Sequence, residues 1–333
     1  LCAACSGGVR PGMDFFPLQV AYREKYTATG RFPGGYLKRE GRPTEHEVLT
    51  SRMTDRPIRP LFPKGFYNEV QVQCLVLSAD SVHQTDVLAM LGSSAALALS
   101  DLPFAGPLGS LRVGKIDGEF VANPTFEQME KSSLELIYSG LADKMIMIEG
   151  DCDELNEDEF HDALVFANEK VKLQLDAIKG FIAEHGKAKK EYAVSAVAED
   201  ALEALKATVD QTTLDAACLV GDRTERGIAL DAVYDEARAK IEGFDEDRED
   251  DLKAAFGKVN SGNIRRLILE EGKRSDGRGA EDLRPVSCDT GVLPVVHGSS
   301  LFARGETQGV VIVALGSADG AQSQDTMIGE KKK

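Results

Sequence analysis

Long hydrophobic runs are missing from this chain: no window approaches the eighteen or so uninterrupted apolar residues of a membrane-spanning helix. A secretory start is missing too, because LCAACSGG carries no basic residue ahead of an apolar stretch that is itself too short. Nor is there a disulfide framework. The six cysteines (Cys2, Cys5, Cys74, Cys152, Cys218 and Cys288) are scattered through a large chain, which points to reduced thiols and a cytoplasmic setting. Cys2 and Cys5 make a C-x-x-C, but no second pair completes a zinc site and no strand-to-helix context suits a redox motif; a strand end is the plainer reading. With no initiator methionine at position 1 and a stop at GEKKK, both ends read as cuts in a longer chain.

What is present is enough for two or three domains. The 333 residues are 42% hydrophobic and 28% charged, an ordinary globular balance. Positive charge is the scarce kind, with a net charge of −16. It is also unevenly spread. Residues 31–64 hold eight basic side chains (Arg31, Lys38, Arg39, Arg42, Arg52, Arg56, Arg59, Lys64) against four acidic ones, leaving −20 for the rest of the chain. An acidic protein does not bind polyanions indiscriminately, so any such partner must meet a focused site, and this segment is the one candidate.

Local patterns give the organisation. Thr44 and Glu47 form a T-x-x-E capping box, predicting a helix from Glu45 through VLTSRMT. Pro57 is expected to end it, leaving DRPIRPLFPKGF as a stiff non-helical track. EVQVQCLVLS reads as a strand entering a core, and Asp86 to Ser100 as a small-residue helix packed closely on a sheet. Asp117-Gly118 between apolar runs predicts a type I′ hairpin, followed by strands at LELIYSG and KMIMIEG. An α+β unit thus ends near Gly150. Residues 158–271 read as all-helical, broken at HGKAKKEYA and EGFDEDRED, and CDTGVLPVV, SSLFARGE and GVVIVALG read as strands of a second β-rich region. The chain's first residues also look like the segment IVALGSADGAQSQDTMIG near its end, a hint of internal duplication.

The stretch GRFPGGYLKREGRP is the strongest functional candidate. Tyr36 offers a stacking face, Leu37 an apolar wedge, and Lys38, Arg39 and Arg42 suit phosphates of a single strand. As pattern alone, the same residues also suit a solvated turn whose cations neutralise nearby acids. Arg52, Arg56 and Arg59 in SRMTDRPIRP form a second set of guanidinium forks, or else pair with Asp55, Glu45 or a buried carboxylate. His297 beside Ser299 and Ser300 lacks an orienting acid and reads as a strand-end turn. Asp151, Asp153, Glu154 and Glu157 lack the rhythm of a calcium loop and read as an acidic helix start.

GRFPGGYLKREGRPTEHEVLTSRMTDRPIRPLFPKGFYNEVQV resembles the first RNase PH-type core of the bacterial polynucleotide phosphorylase family, and KRSDGRGAEDLRPVSCDTGVLPVVHGSSLFARGETQ resembles the opening of its second core. The resemblance implies an α+β fold: an RNase PH-like (ribosomal protein S5 domain 2-like) core over 1–155 without its first strand, an all-helical domain over 156–272 that includes the last core helix, and the start of a second core over 273–333. It implies a phosphorolytic 3′ to 5′ exoribonuclease that uses inorganic phosphate and magnesium to release nucleoside diphosphates. It further implies a homotrimeric ring threaded by RNA, with KH and OB modules in full-length members. The family's channel loop falls on Tyr36, Leu37, Lys38 and Arg39, with leucine in place of one aromatic. Arg42, Arg52, Arg56 and Arg59 carry over as RNA-channel residues only. Catalytic residues are expected beyond Lys333, no magnesium ligand is identifiable, and the chain alone is expected to be inactive. A non-catalytic RNA-binding and assembly module is the alternative.

Overall fold

The computed structural model describes all residues except 10–12, 14, 35, 36, 38, 193–196, 246, 247, 322 and 333. It divides into two compact units, residues 1–195 with 321–333, and residues 196–320.

The first unit is built around a helix held between two sheets. One sheet has β1 (Cys2–Ser6), β3 (Val70–Val76) and β2 (Leu18–Glu24) in that spatial order, β3 running antiparallel to β1 and parallel to β2. The other is antiparallel, β5 (Glu119–Ala122), β4 (Gly109–Ile116), β6 (Leu134–Gly140), β7 (Met145–Cys152). Helix α2 (Asp86–Leu99) packs Ala89, Leu97 and Ala98 into the first core and Val87 and Met90 against Ile137 and Met147 of the second sheet. Its run of alanine, glycine and serine is what a helix buried on two faces needs, since large side chains would hold the sheets apart. The turn between β4 and β5 has positive φ at both Asp117 (50°) and Gly118 (85°), the type I′ geometry that the Asp-Gly pair favours. The short helix α3 (Phe126–Met129) follows β5 with its own capping box at Thr125.

Strand β4 shows six consecutive buried residues instead of alternation. The second cover is α4 (Glu157–His185), whose Ala163, Ala167, Val171 and Leu175 recur at four-residue spacing against Leu111, Val113, Leu134 and Leu136. Gln174 fixes the docking by accepting from the Ser110 amide at 2.9 Å and donating to the Ser110 carbonyl at 3.0 Å. A Cβ on Gly109 would lie 2.6 Å from Val171 Cγ1, so helix and strand meet where glycine leaves room. The long helix that begins the helical segment therefore covers the first unit's sheet.

Helix α1 (Glu45–Ile58) starts as expected but does not stop at Arg56: Pro57 sits inside its last turn, and a 3-10 turn over Arg59–Leu61 continues the coil. Proline there removes a single amide donor, and burial of Pro57 and Ile58 holds the turn in place.

The second unit contains α5 (Glu199–Thr208), α6 (Gln211–Cys218), α7 (Arg223–Ala239) and α8 (Glu249–Glu271), packed around Leu205, Leu252 and Ala255 at one end and Leu214, Val233 and Leu267 at the other. A three-stranded antiparallel meander follows: β8 (Val286–Thr290), β9 (Gly298–Arg304) and β10 (Thr307–Val313). GVLPVV does not prolong β8 as expected; residues 291–297 are a bending loop after Gly291, whose φ of 69° turns the chain out of the strand. The hairpin β11 (Ser323–Thr326), β12 (Gly329–Lys332) belongs to the first unit. Among the described residues, no helix is long and apolar enough to cross a membrane.

Candidate nucleic-acid interface

Strand β2 delivers the chain to the site and α1 takes it away. After Glu24, a 3-10 turn over Tyr26–Thr29 ends at Gly30, whose φ of 72° reverses the chain direction. The returning end is fixed by Thr44. Its hydroxyl accepts from the Glu47 amide at 3.2 Å, and the Glu47 carboxylate accepts from the Thr44 amide at 2.6 Å, a complete capping box. The other oxygen of Glu47 accepts from the Glu24 amide at 2.8 Å and stands 3.5 Å from Arg23 Nε. One buried carboxylate therefore closes both ends of residues 25–43.

Further stitches run along the loop's inner edge. Glu40 accepts from Lys25 Nζ at 2.6 Å and from the Tyr26 amide at 2.9 Å, and the Lys25 bond holds its carboxyl below the usual range. Arg23 donates to the Gly41 carbonyl at 2.8 Å. On the far side, Thr29 and Arg31 donate to the carbonyls of Met327 and Thr326 at 2.7 and 3.3 Å. These bonds engage Glu40, Lys25, Thr29 and Arg31 of the loop.

Leu37 is 85% exposed, and Arg39 and Arg42 are exposed beside it in sequence. Tyr36 and Lys38 lie outside the described residues. Phe32, which the sequence reading passed over, is 82% exposed. Its signal was in plain view, because a phenylalanine between Arg31 and Pro33 in a polar turn has no apolar neighbours to bury it. Such a ring is a stacking platform of the kind single strands use.

The arginines of α1 divide. Arg52 is exposed and makes no ion pair among the described residues. Arg56 pairs with Glu149 of β7. Arg59 makes a two-pronged bond to Asp55, Nε to Oδ2 at 2.9 Å and Nη2 to Oδ1 at 2.7 Å. It also donates to the carbonyls of Phe16 (2.8 Å) and Leu18 (3.2 Å) and lies 5.6 Å from the Phe16 ring centre. The Asp55 pairing weighed from sequence is the one the fold makes.

Other sequence candidates fall elsewhere. Cys2 and Cys5 share one strand three positions apart, so alternation turns them to opposite faces, and no C-x-x-C dithiol forms. His297 accepts from the Leu315 amide at 2.9 Å in the turn before β9. The acidic run opens α4, where Glu157, Asp158 and Glu159 occupy the first turn after the Asn156 cap. Among the described residues, no cluster of three or more histidine, cysteine or acidic side chains could hold a metal ion.

Three family models match in succession: the 3′ exoribonuclease family, domain 1, over residues 1–103; its domain 2 over 106–170; and the polyribonucleotide nucleotidyltransferase RNA binding domain over 201–279. The fold and the matches define an RNase PH-like 3′ exoribonuclease framework joined to a helical RNA binding domain. More narrowly, the chain belongs to the polyribonucleotide nucleotidyltransferase family. It is 45% identical to the polyribonucleotide nucleotidyltransferase of Opitutus terrae over 97% of this chain and 45% of that protein. It is 43% identical to that of Magnetococcus marinus over 98% of this chain and 47% of that one, and 43% identical to polyribonucleotide nucleotidyltransferase 1 of Alkaliphilus metalliredigens over 100% and 47%. The chain thus spans about half the length of the curated relatives it matches.

Proposed function

We propose that this chain is the RNA-guiding part of a phosphorolytic 3′ to 5′ exoribonuclease that degrades RNA with inorganic phosphate to nucleoside diphosphates, and can run in reverse as a polymerase. The observation that carries this reading is the loop over residues 25–43, closed at both ends by Glu47 and presenting Phe32, Leu37, Arg39 and Arg42 outward. Closing the ends before RNA arrives lowers the ordering cost of binding. Exposed cations on an acidic chain confine the phosphate backbone to one place.

We assign RNA contacts to Tyr36, Leu37, Lys38, Arg39, Arg42 and Arg52, and add Phe32. Arg56 and Arg59, already held by carboxylates, we assign to the framework that carries the loop. We place the first core over 1–155, the helical domain over 156–272 and the start of a second core over 273–333. The whole enzyme we take to be a cytoplasmic homotrimer that draws single-stranded RNA through a central channel. In-line attack of phosphate on an RNA linkage needs cations positioned around the phosphorus oxygens and little covalent help. Magnesium would serve that role in the whole enzyme; the described residues here do not fit it, and no step through it is assigned to them.

The test is single-strand RNA affinity measured against salt. Replacing Lys38, Arg39 and Arg42 by alanine should weaken poly(A) binding about tenfold or more near physiological salt and flatten the log–log salt dependence by about 2, since each phosphate contact contributes about 0.7. An unchanged slope would sink the loop assignment. A phosphorolysis assay separates guidance from cleavage. These 333 residues with poly(A), phosphate and magnesium should bind RNA yet release no nucleoside diphosphate, because the resemblance puts the cleaving residues beyond Lys333. Robust release would move catalysis into this chain.

A further inference from the structure

Two cysteines far apart in sequence lie directly opposite each other in the first sheet. Strands β1 and β3 are antiparallel with Cys2 facing Cys74. The neighbouring pair exchanges both backbone bonds, Leu1 N to Leu75 O at 3.0 Å and Leu75 N to Leu1 O at 2.9 Å. Backbone bonding alternates along an antiparallel ladder, so Cys2 and Cys74 occupy a non-hydrogen-bonded pair, where Cα atoms approach to about 4.5 Å. That spacing lies at the near end of the range a disulfide spans.

The side chains point the same way, toward α2. Both sulfurs lie 3.8 Å from the Ala89 carbonyl, and Cys74 Sγ is 2.9 Å from Ser93 Oγ. Gly92 makes the room: a Cβ there would stand 2.7 Å from Cys2 Sγ. A cavity of about 320 Å³ lined by Cys2, Cys74, Tyr22, Thr85 and Ala89 gives a small solute access to the pair.

We propose that Cys2 and Cys74 form a site of reversible thiol oxidation, at which a peroxide joins them in a cross-strand disulfide. The two thiols are not equivalent. The hydrogen bond from Cys74 lowers the Cys2 thiol from its ordinary range, while that same bond and burial push the Cys74 thiol up. Cys2 is therefore the attacking sulfur and Cys74 the resolving one. Cys2 thiolate attacks one oxygen of hydrogen peroxide, breaking the O–O bond to leave a sulfenic acid on Cys2 and hydroxide, which takes up a proton as water. Cys74 sulfur then displaces the sulfenic hydroxyl, which leaves with the Cys74 proton as a second water. Two thiols are oxidised by two electrons and one peroxide is reduced to two waters. The product ties edge strand β1 to central strand β3.

The test treats the 333-residue chain with one equivalent of hydrogen peroxide, quenches with an alkylating reagent, and maps peptides without reduction. A Cys2–Cys74 cross-linked peptide should form ahead of products at the exposed Cys5, Cys152 and Cys288, vanish on treatment with dithiothreitol, and accompany a rise in thermal midpoint of at least about 5 °C. Cys2→Ala provides the second arm, because it leaves the buried partner intact. Cys74 should then stay alkylatable only after unfolding, without oxidation at the same peroxide dose. Oxidation confined to the exposed cysteines, Cys2 advancing to sulfinic acid beside a free Cys74, or Cys74 oxidising equally fast in Cys2→Ala would each overturn the proposal.

Discussion

The basic segment uses arginine in two opposite ways within a few turns of chain. Over residues 31–43 the carboxylate that could neutralise the loop, Glu40, is engaged inward by Lys25 and the Tyr26 amide, and Arg39 and Arg42 stay exposed. At the end of α1 the arginines turn back into the protein: Arg59 spends its fork on Asp55 and two carbonyls, and Arg56 meets Glu149. Charge density along the sequence does not distinguish the two. At the end of α1 the acceptor within reach decides the role, because a guanidinium already forked to a carboxylate must lose that pair before it can grip a phosphate.

Arg112 marks the paired extreme, and breaking its pair should give the largest effect. It is 4% exposed within β4 and bonds Asp86 at the start of α2 at 2.8 and 3.1 Å, with Glu135 at 3.0 Å. Asp86→Ala leaves that charge buried without its main partner and should cost about 3–5 kcal/mol. Denaturant unfolding would measure it. A loss below about 1 kcal/mol would mean the pair holds little of the two-sheet packing together.

Glu47 comes next, because it joins both regions. Glu47→Ala removes the capping box and the tie to Glu24, and should cost about 1–2 kcal/mol. RNA affinity should fall while its salt slope stays as in the parent, since ordering is lost and no phosphate contact is. A flattened slope would show instead that the loop cations had been displaced. Arg59→Ala sharpens the comparison from the other side. It should lower stability by about 1 kcal/mol through its lost hydrogen bonds and leave the salt slope unchanged. A slope reduced by about 0.7 would return Arg59 to the RNA-contact set.

The difference in legibility follows the same line. Local signals were readable: the Thr44 box, the Asp117-Gly118 turn, the small-residue helix at 86–99 and the strands 70–76, 134–140 and 145–152 all have causes within a few residues. The end of α1 was misread because the local rule for proline was outweighed by burial of Pro57 and Ile58. What could not be read depended on distant partners. Arg59 bonds the carbonyls of residues 16 and 18, Gln174 the backbone of residue 110, and Cys2 faces Cys74 only once β1 is paired with β3. For the candidate site, the cationic loop was visible as composition, whereas its closure by Glu47 and the outward Phe32 required the fold.

The smallest effect tests whether the loop's anchor responds to protons. His46 Nε2 stands 3.2 Å from Glu24 Oε1, at the junction of β2 and α1, and Glu24 also accepts from the Tyr22 hydroxyl at 2.7 Å. The hydrogen bond to Glu24 raises the His46 pKa above its ordinary 6.5, helped by Asp86 and opposed by burial and Arg112. Burial pushes Glu24 up, but hydrogen bonds from His46 and Tyr22 outweigh it and hold the carboxyl below its ordinary 4.5. The signs are opposite. His46 stabilises fully below its unfolded value and loses that contribution as pH rises through its raised folded value; Glu24 stabilises fully above its unfolded value and loses that as pH falls through its lowered one. The pair therefore contributes most between about pH 4.5 and 6.5. His46→Gln cannot gain the charge, so the parent's advantage in thermal midpoint over the variant should be greatest near about pH 5.5 and shrink by about pH 8.5. Equal differences at the two pH values would mean that His46 contributes by packing alone. The loop's closure would then rest on Glu47 without help from the imidazolium.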